Sequence, residues 1–155
     1  MRFLAIITAF LSLTTLARAE VALLGNWSLV SFYTEDAASG TRTNTYGERP
    51  TGAIGFTPAG RFFAFATADG RVAATNSETQ AAAFRTMIAY TGQWRTEGER
   101  FITRVDVAAN PALIGSDVVR FWRVEEGRLY ITTAPIADPN NAARSLIGTL
   151  VWARE

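Results

Sequence analysis

Leu24-Gly25-Asn26-Trp27-Ser28-Leu29-Val30-Ser31-Phe32-Tyr33 is the stretch that decides the reading of this chain. It mixes aromatic and β-branched residues and has no helical periodicity, so it reads as a strand. Its period of two puts Trp27, Leu29, Ser31 and Tyr33 on one face. Downstream the same texture recurs, with turn signals every 8–14 residues. Ala37 to Gly40 is a turn, followed by a polar strand over 41–46. A loop at Arg49 to Gly52 leads into a strand over 53–57. Pro58-Ala59-Gly60 turns it back into 61–67, with Pro fixing φ and Gly supplying the left-handed position. Further strands are expected over 90–95, 100–107, 118–124, 128–133 and 145–154, with residues 135–141 as a loop.

Residues 76–89 break this pattern. Ala81, Phe84, Met87 and Ile88 fall on one helical stripe. Thr75 and Glu78 have capping-box spacing, although Asn76 and Ser77 are alternative caps. One helix among about nine strands makes the chain all-β. Its edges must then be hidden by closure or by stacking two sheets. Hairpin-like connections in chain order favour an antiparallel up-and-down barrel of about 8–9 strands.

Upstream of the first strand the chemistry changes. Arg2 precedes an apolar run from Phe3 to Leu16, and Ala17-Arg18-Ala19 has the form of an A-x-A cleavage site. Residues 1–19 are therefore expected to be a signal peptide, and 20–155 the barrel domain. The run is shorter than the roughly 20 apolar residues a membrane span needs. Export to the periplasm or the outside, with cleavage near Ala19-Glu20, is the expected localisation.

Composition excludes a good deal of chemistry. The 155 residues include neither Cys nor His. That removes disulfides, thiol nucleophiles, the usual zinc sites and every His-based triad. Net charge is +1 for the whole chain. Loss of Arg2 and Arg18 leaves 13 of the 15 basic residues against 14 acidic ones, a net charge of −1. Such a balance gives no electrostatic case for nucleic acid. No acidic cluster suggests a metal, no glycine-rich phosphate loop is present, and no cofactor is expected.

The ordered motifs carry a resemblance. Gly25-Asn26-Trp27 has the form of the lipocalin G-x-W, and Arg154 ends the last strand, where lipocalins often carry Arg. Gly55-Phe56-Thr57-Pro58-Ala59-Gly60-Arg61 and Ala83-Phe84-Arg85 follow, then Ala89-Tyr90-Thr91-Gly92-Gln93-Trp94. Asn110-Pro111, Val119-Arg120-Phe121-Trp122, Gly127-Arg128-Leu129 and Leu150-Val151-Trp152-Ala153-Arg154 complete the set. The chain resembles the lipocalin-like domain family of the calycin superfamily, as a secreted bacterial member. The resemblance implies an antiparallel barrel with a cavity open at one end, and no particular reaction. Similar sequences often carry His on the strand holding Thr103-Arg104-Val105; this chain has none, so a proton-transfer role for that His is absent.

Candidate site residues follow from alternation. Closure would bring Arg154 beside Trp27, a cation–π contact that seals one end. Tyr33, Phe63, Tyr90, Trp94 and Trp122 are candidates for lining a ligand cavity, together with Arg120. Small residues on strands, Ala53, Gly55, Ala64, Ala66 and Gly92, imply a void where some of them face inward. Arg120 shares a face with Trp122 and should point inward, where a guanidinium needs an anion or acceptors. A carboxylate such as Asp106, a wet rim, or a ligand carboxylate would each serve. Asp106 and Tyr33 are the available acid–base groups. The leading expectation is an exported barrel binding a small, largely apolar molecule, with a carboxylic acid as one candidate. A barrel enzyme of isomerase or cyclase type, and a structural or partner-binding envelope protein, stand as alternatives.

Overall fold

The computed structural model describes residues 21–138 and 141–155. The signal peptide expected over 1–19 lies outside the described residues. Ten strands form one antiparallel sheet: β1 Gly25–Asp36, β2 Arg42–Asn44, β3 Thr51–Phe56, β4 Arg61–Thr67, β5 Met87–Glu97, β6 Arg100–Ala108, β7 Asp117–Glu125, β8 Arg128–Thr132, β9 Ile136–Asp138 and β10 Asn141–Arg154. The order β1-β3-β4-β5-β6-β7-β8-β10 closes on itself through β1–β10 pairing, giving an eight-stranded barrel. β2 and β9 pair with the lengths of β1 and β10 that run on past their barrel neighbours. The expected all-β, lipocalin-like up-and-down barrel is the architecture found. β9 occupies part of the expected loop at 135–141.

Helix α1, Ser77–Arg85, connects β4 to β5. It is shorter than the expected 76–89. Asn76 caps it, accepting from the Thr79 N–H, and the Thr79 hydroxyl closes the capping box. Thr86 ends it, its hydroxyl donating to the Ala82 carbonyl at 2.9 Å. Met87 and Ile88 then pair with Thr67 and Ala66 of β4. Their helical spacing was outweighed by the ladder bonds that a neighbouring strand offers.

A register shift between Leu29 and Ser31 interrupts the β1–β10 ladder. An extra residue in one strand reverses the inward parity beyond it. Trp27 and Leu29 pack inward, but from there Phe32 replaces Ser31 and Tyr33 on the inner face. The expected face of Trp27, Leu29, Ser31 and Tyr33 is corrected accordingly.

The end at the start of β1 is shut. Trp27 pairs directly with Arg154. The guanidinium carbon sits 4.2 Å from the indole centroid. Arg154 also donates to the carbonyls of Leu24 at 2.8 Å and Ala22 at 2.7 Å. The indole N–H donates to the Leu23 carbonyl at 2.9 Å. Gly25 has φ +113°, and a Cβ there would lie 3.2 Å from the guanidinium. Glycine therefore supplies both the backbone conformation and the room that the plug requires. Phe56, Phe62 and Phe101 stack above this plug, with centroids 4.8 to 5.5 Å apart.

At the opposite end, Asp36 accepts from Arg144 Nε at 2.7 Å and from the Ser39 and Ala38 N–H groups. Arg144 also reaches Asp138 at 3.5 Å, tying β1, β9 and β10 together. The Arg144 guanidinium, with the Ser39 N–H, holds the Asp36 carboxyl well below the usual carboxylate range. No helix among the described residues is long and apolar enough to cross a membrane.

Two outcomes follow. Trp27 is only 1 % exposed, so Trp27→Ala should cost about 3–5 kcal/mol in urea unfolding. A cost under about 1 kcal/mol would contradict a packed plug. A depressed carboxyl pKa adds stability that is complete above the unfolded value of about 3.9 and is lost as pH falls toward the folded value. Asp36→Asn should therefore be less stable than wild type at pH 7 and lose less on acidification below about pH 4. Parallel acid limbs in the two proteins would contradict the clamp.

Candidate functional site

The aromatic stack fills the shut half of the barrel, and the other half is hollow. β4 alternates Phe62, Ala64 and Ala66 on its inner face, all buried. Ile54 is the ladder partner of Ala64, and where the two alanines face Ile131 and Leu150 the walls do not meet. The result is a cavity of about 130 Å³ floored by Phe62, Phe101 and Trp152. This is of the order of the dry, apolar space that accepts a benzene ring, roughly 150 Å³.

Among the described residues, Tyr90, Arg120 and Thr133 face it with polar side chains, beside the indole of Trp152, whose buried N–H has no acceptor there. The Thr133 hydroxyl is already engaged, accepting from the Gly148 N–H at 3.0 Å. Arg120 makes one hydrogen bond, to the Val119 carbonyl on its own strand at 2.8 Å. Most arginines of the described residues hold a carboxylate, but Arg120 holds none. Tyr90 is 8 % exposed. Burial pushes its phenol up, and the positive charge of Arg120 opposes that shift.

A second, outer pocket of about 330 Å³ adjoins the first. Ile88, Tyr90 and Arg120 belong to both, so they form the shared wall. The outer walls come from Phe84 and Arg85 at the end of α1 and from Asn110 and Leu113 after β6. Entry to the cavity thus passes a guanidinium and a phenol.

The structure brings Tyr90 and Arg120 together on the cavity and places the other expected residues elsewhere. Trp94 lies toward the shut end, its ring against Phe56 at 5.0 Å and its N–H donating to the Thr57 carbonyl. Trp122 packs on the core toward the Glu126-Gly127 turn, its N–H without an acceptor among the described residues. Tyr33 lies beneath the Arg42 guanidinium, 4.6 Å from its ring centroid, on the face opposite Phe32. Phe63 faces outward beside Phe65, their centroids 6.2 Å apart. Asp106 forms a two-bond fork with Arg61 and is not the partner of Arg120.

Among the small strand residues, Ala64 and Ala66 line the cavity. Ala53 and Gly55 alternate with the inward Ile54 and Phe56, and so face out. Gly92 sits at a register shift, where a Cβ would collide with the Arg104 carbonyl. The sequence reading missed Phe32, which the β1 bulge turned inward, and Ile88, which carried a helical assignment. It also missed Leu150 and Trp152, which strict alternation from the buried end of β10 would have found. The described residues contain no group of three His, Cys, Asp or Glu placed to hold a metal ion.

A family model described as a lipocalin-like domain matches residues 24–155. No curated protein matches the chain.

Filling a real void should be cheap. Adding methylenes to a packed interior costs about 1–3 kcal/mol. Ala66→Leu should instead change stability by less than about 1 kcal/mol, because its side chain enters the cavity. Urea unfolding measures this, and a cost in the packed-core range would mean that the walls already meet.

Proposed function

The chain belongs to the lipocalin-like domain family, and from that premise we propose that it is an exported carrier of a small, largely apolar carboxylic acid. The lipocalin-like barrel is a ligand-binding architecture in general; the acid and the export are the specific parts of the proposal. The observation that carries the acid is Arg120. A guanidinium on an apolar cavity wall, with no carboxylate beside it, is costly unless water or an incoming anion meets it. Tyr90 adds a hydroxyl that donates to no protein group among the described residues, so the two together offer a fork of donors to one head group. The apolar tail would take the 130 Å³ space beyond them.

Export rests on the residues of the leader. Arg2, the apolar run to Leu16 and Ala17-Arg18-Ala19 have the order and lengths of a cleaved signal. The intact mass of the exported form should correspond to a chain beginning at Glu20. A carrier is preferred over a barrel enzyme for a geometric reason. Asp106 and Tyr33, the acid–base groups that a mechanism would need beside Arg120, both lie on the outer face.

Arg120→Met tests the acid. An ion-paired hydrogen bond is worth about 1.5–3 kcal/mol, so affinity for hexanoate should fall roughly 10- to 150-fold. Affinity for methyl hexanoate should change little, and the variant should stay folded because Met keeps the apolar stem. Equal loss for acid and ester, measured by calorimetric titration, would overturn the clamp.

A further inference from the structure

The outer pocket holds more positive charge than one carboxylate can neutralise. Among the described residues its titratable lining groups are Arg85, Tyr90 and Arg120, with no Asp or Glu. Arg85, like Arg120, has no carboxylate partner among the described residues. Arg85 comes from the last turn of α1 and Arg120 from β7, so two distant parts of the chain aim cations at one pocket. Like charges gathered in a concave, partly apolar site repel each other unless an anion lies between them.

The rest of α1 fits a mouth element. It buries none of its residues. Its capping box is made by its own residues, Asn76 and Thr79, so the helix carries its N-terminal cap with it. Among the described residues, two bonds tie the backbone of its last turn and C-cap to neighbouring segments. The Ala68 N–H donates to the Thr86 carbonyl, and Arg71 donates to the Ala83 carbonyl. Phe84 stands half exposed beside Arg85 on the pocket wall.

We propose that Arg85 and Arg120 together form a dianion subsite at the barrel mouth, so that the preferred ligand is a small amphiphile with a doubly ionised acid head. The proposal rests on the ligand-binding reading above and adds the charge of the head. A phosphate monoester and a malonate-type dicarboxylate share that chemistry. With its tail past Tyr90, either head would present one oxygen edge to Arg120 and the other to Arg85.

Hexanoate, hexylmalonate and hexyl phosphate are the probes, titrated into wild type and Arg85→Gln at pH 8. At least one dianion should bind wild type about 5- to 10-fold more tightly than hexanoate. Arg85→Gln should erase that advantage and leave hexanoate within about twofold of its wild-type affinity. Which dianion gains more distinguishes the phosphate from the dicarboxylate. A second readout is pH. The chain has no His, and a phosphate monoester takes its second charge near pH 6. Hexyl phosphate affinity should therefore rise between about pH 5 and 8 in wild type and stay flat in Arg85→Gln. Arg85 is exposed and has no side-chain partner among the described residues, so the variant should keep the wild-type melting temperature. Equal binding of the three probes, or an unchanged preference in Arg85→Gln, overturns the two-arginine subsite and leaves Arg120 standing. Binding of none of them overturns the ligand-binding reading and the subsite with it.

Discussion

The Trp27–Arg154 contact is the constraint from which the rest of the architecture follows. The first strand must meet the last for the sheet to lose its edges, and these two residues are direct partners across that seam. The contact combines a cation–π interaction with two guanidinium bonds to the backbone carbonyls of Leu24 and Ala22. It also places a large ring on the barrel axis at one end. Phe56, Phe62 and Phe101 build upward from that plug, which fixes where packing is complete and where it stops.

The change from filled to hollow happens along one strand. β4 presents Phe62, then Ala64, then Ala66 to the interior, so side-chain volume falls toward the mouth. An eight-stranded barrel is just wide enough to be filled by large side chains. Two alanines in succession are therefore enough to open a space. Arg120 and Tyr90 stand where that space meets the outside. Charge at the mouth and apolar walls below it would admit an amphiphile, on the reading proposed above, in one orientation: tail in, head out. Arg85 on the lightly anchored helix extends the same logic by one charge.

Much of this was readable from residue order, and the failures have physical causes. The barrel, the seam at Trp27 and Arg154 and the inward Arg120 follow from alternation and turn chemistry, which are local; the small strand residues signalled a void, but not that Ala64 and Ala66, rather than Ala53, Gly55 and Gly92, would line it. The β1 bulge is not local. Its one-residue slip moved Phe32 into the barrel and Tyr33 out of it, and nothing within the strand's own sequence marks that register. Met87 and Ile88 fit a helical stripe as well as they fit a strand. The unpaired ladder of β4 decided between the two, and that information lies in another part of the chain. Phe63 illustrates the same limit: aromatic residues on alternate faces of a strand are chemically alike, and only the position of Phe62 in the ring stack shows which face is inside. Asp106 pairs with Arg61 across strands 45 residues apart, a contact that spacing alone does not reveal.

The central claim is that the apolar part of an acid enters the barrel while its head stays with Arg120. Isotope-filtered nuclear magnetic resonance tests this directly, using hexanoate and protein labelled at its alanine methyl and arginine Nε positions. The account predicts intermolecular NOEs from the hexanoate tail to the methyl groups of Ala64 and Ala66, together with a shift of the Arg120 Nε–H resonance that Arg61 and Arg154 do not share. Tail NOEs confined to an alanine of the outer face, such as Ala53, with the Ala64, Ala66 and Arg120 signals unmoved at saturation, would contradict it.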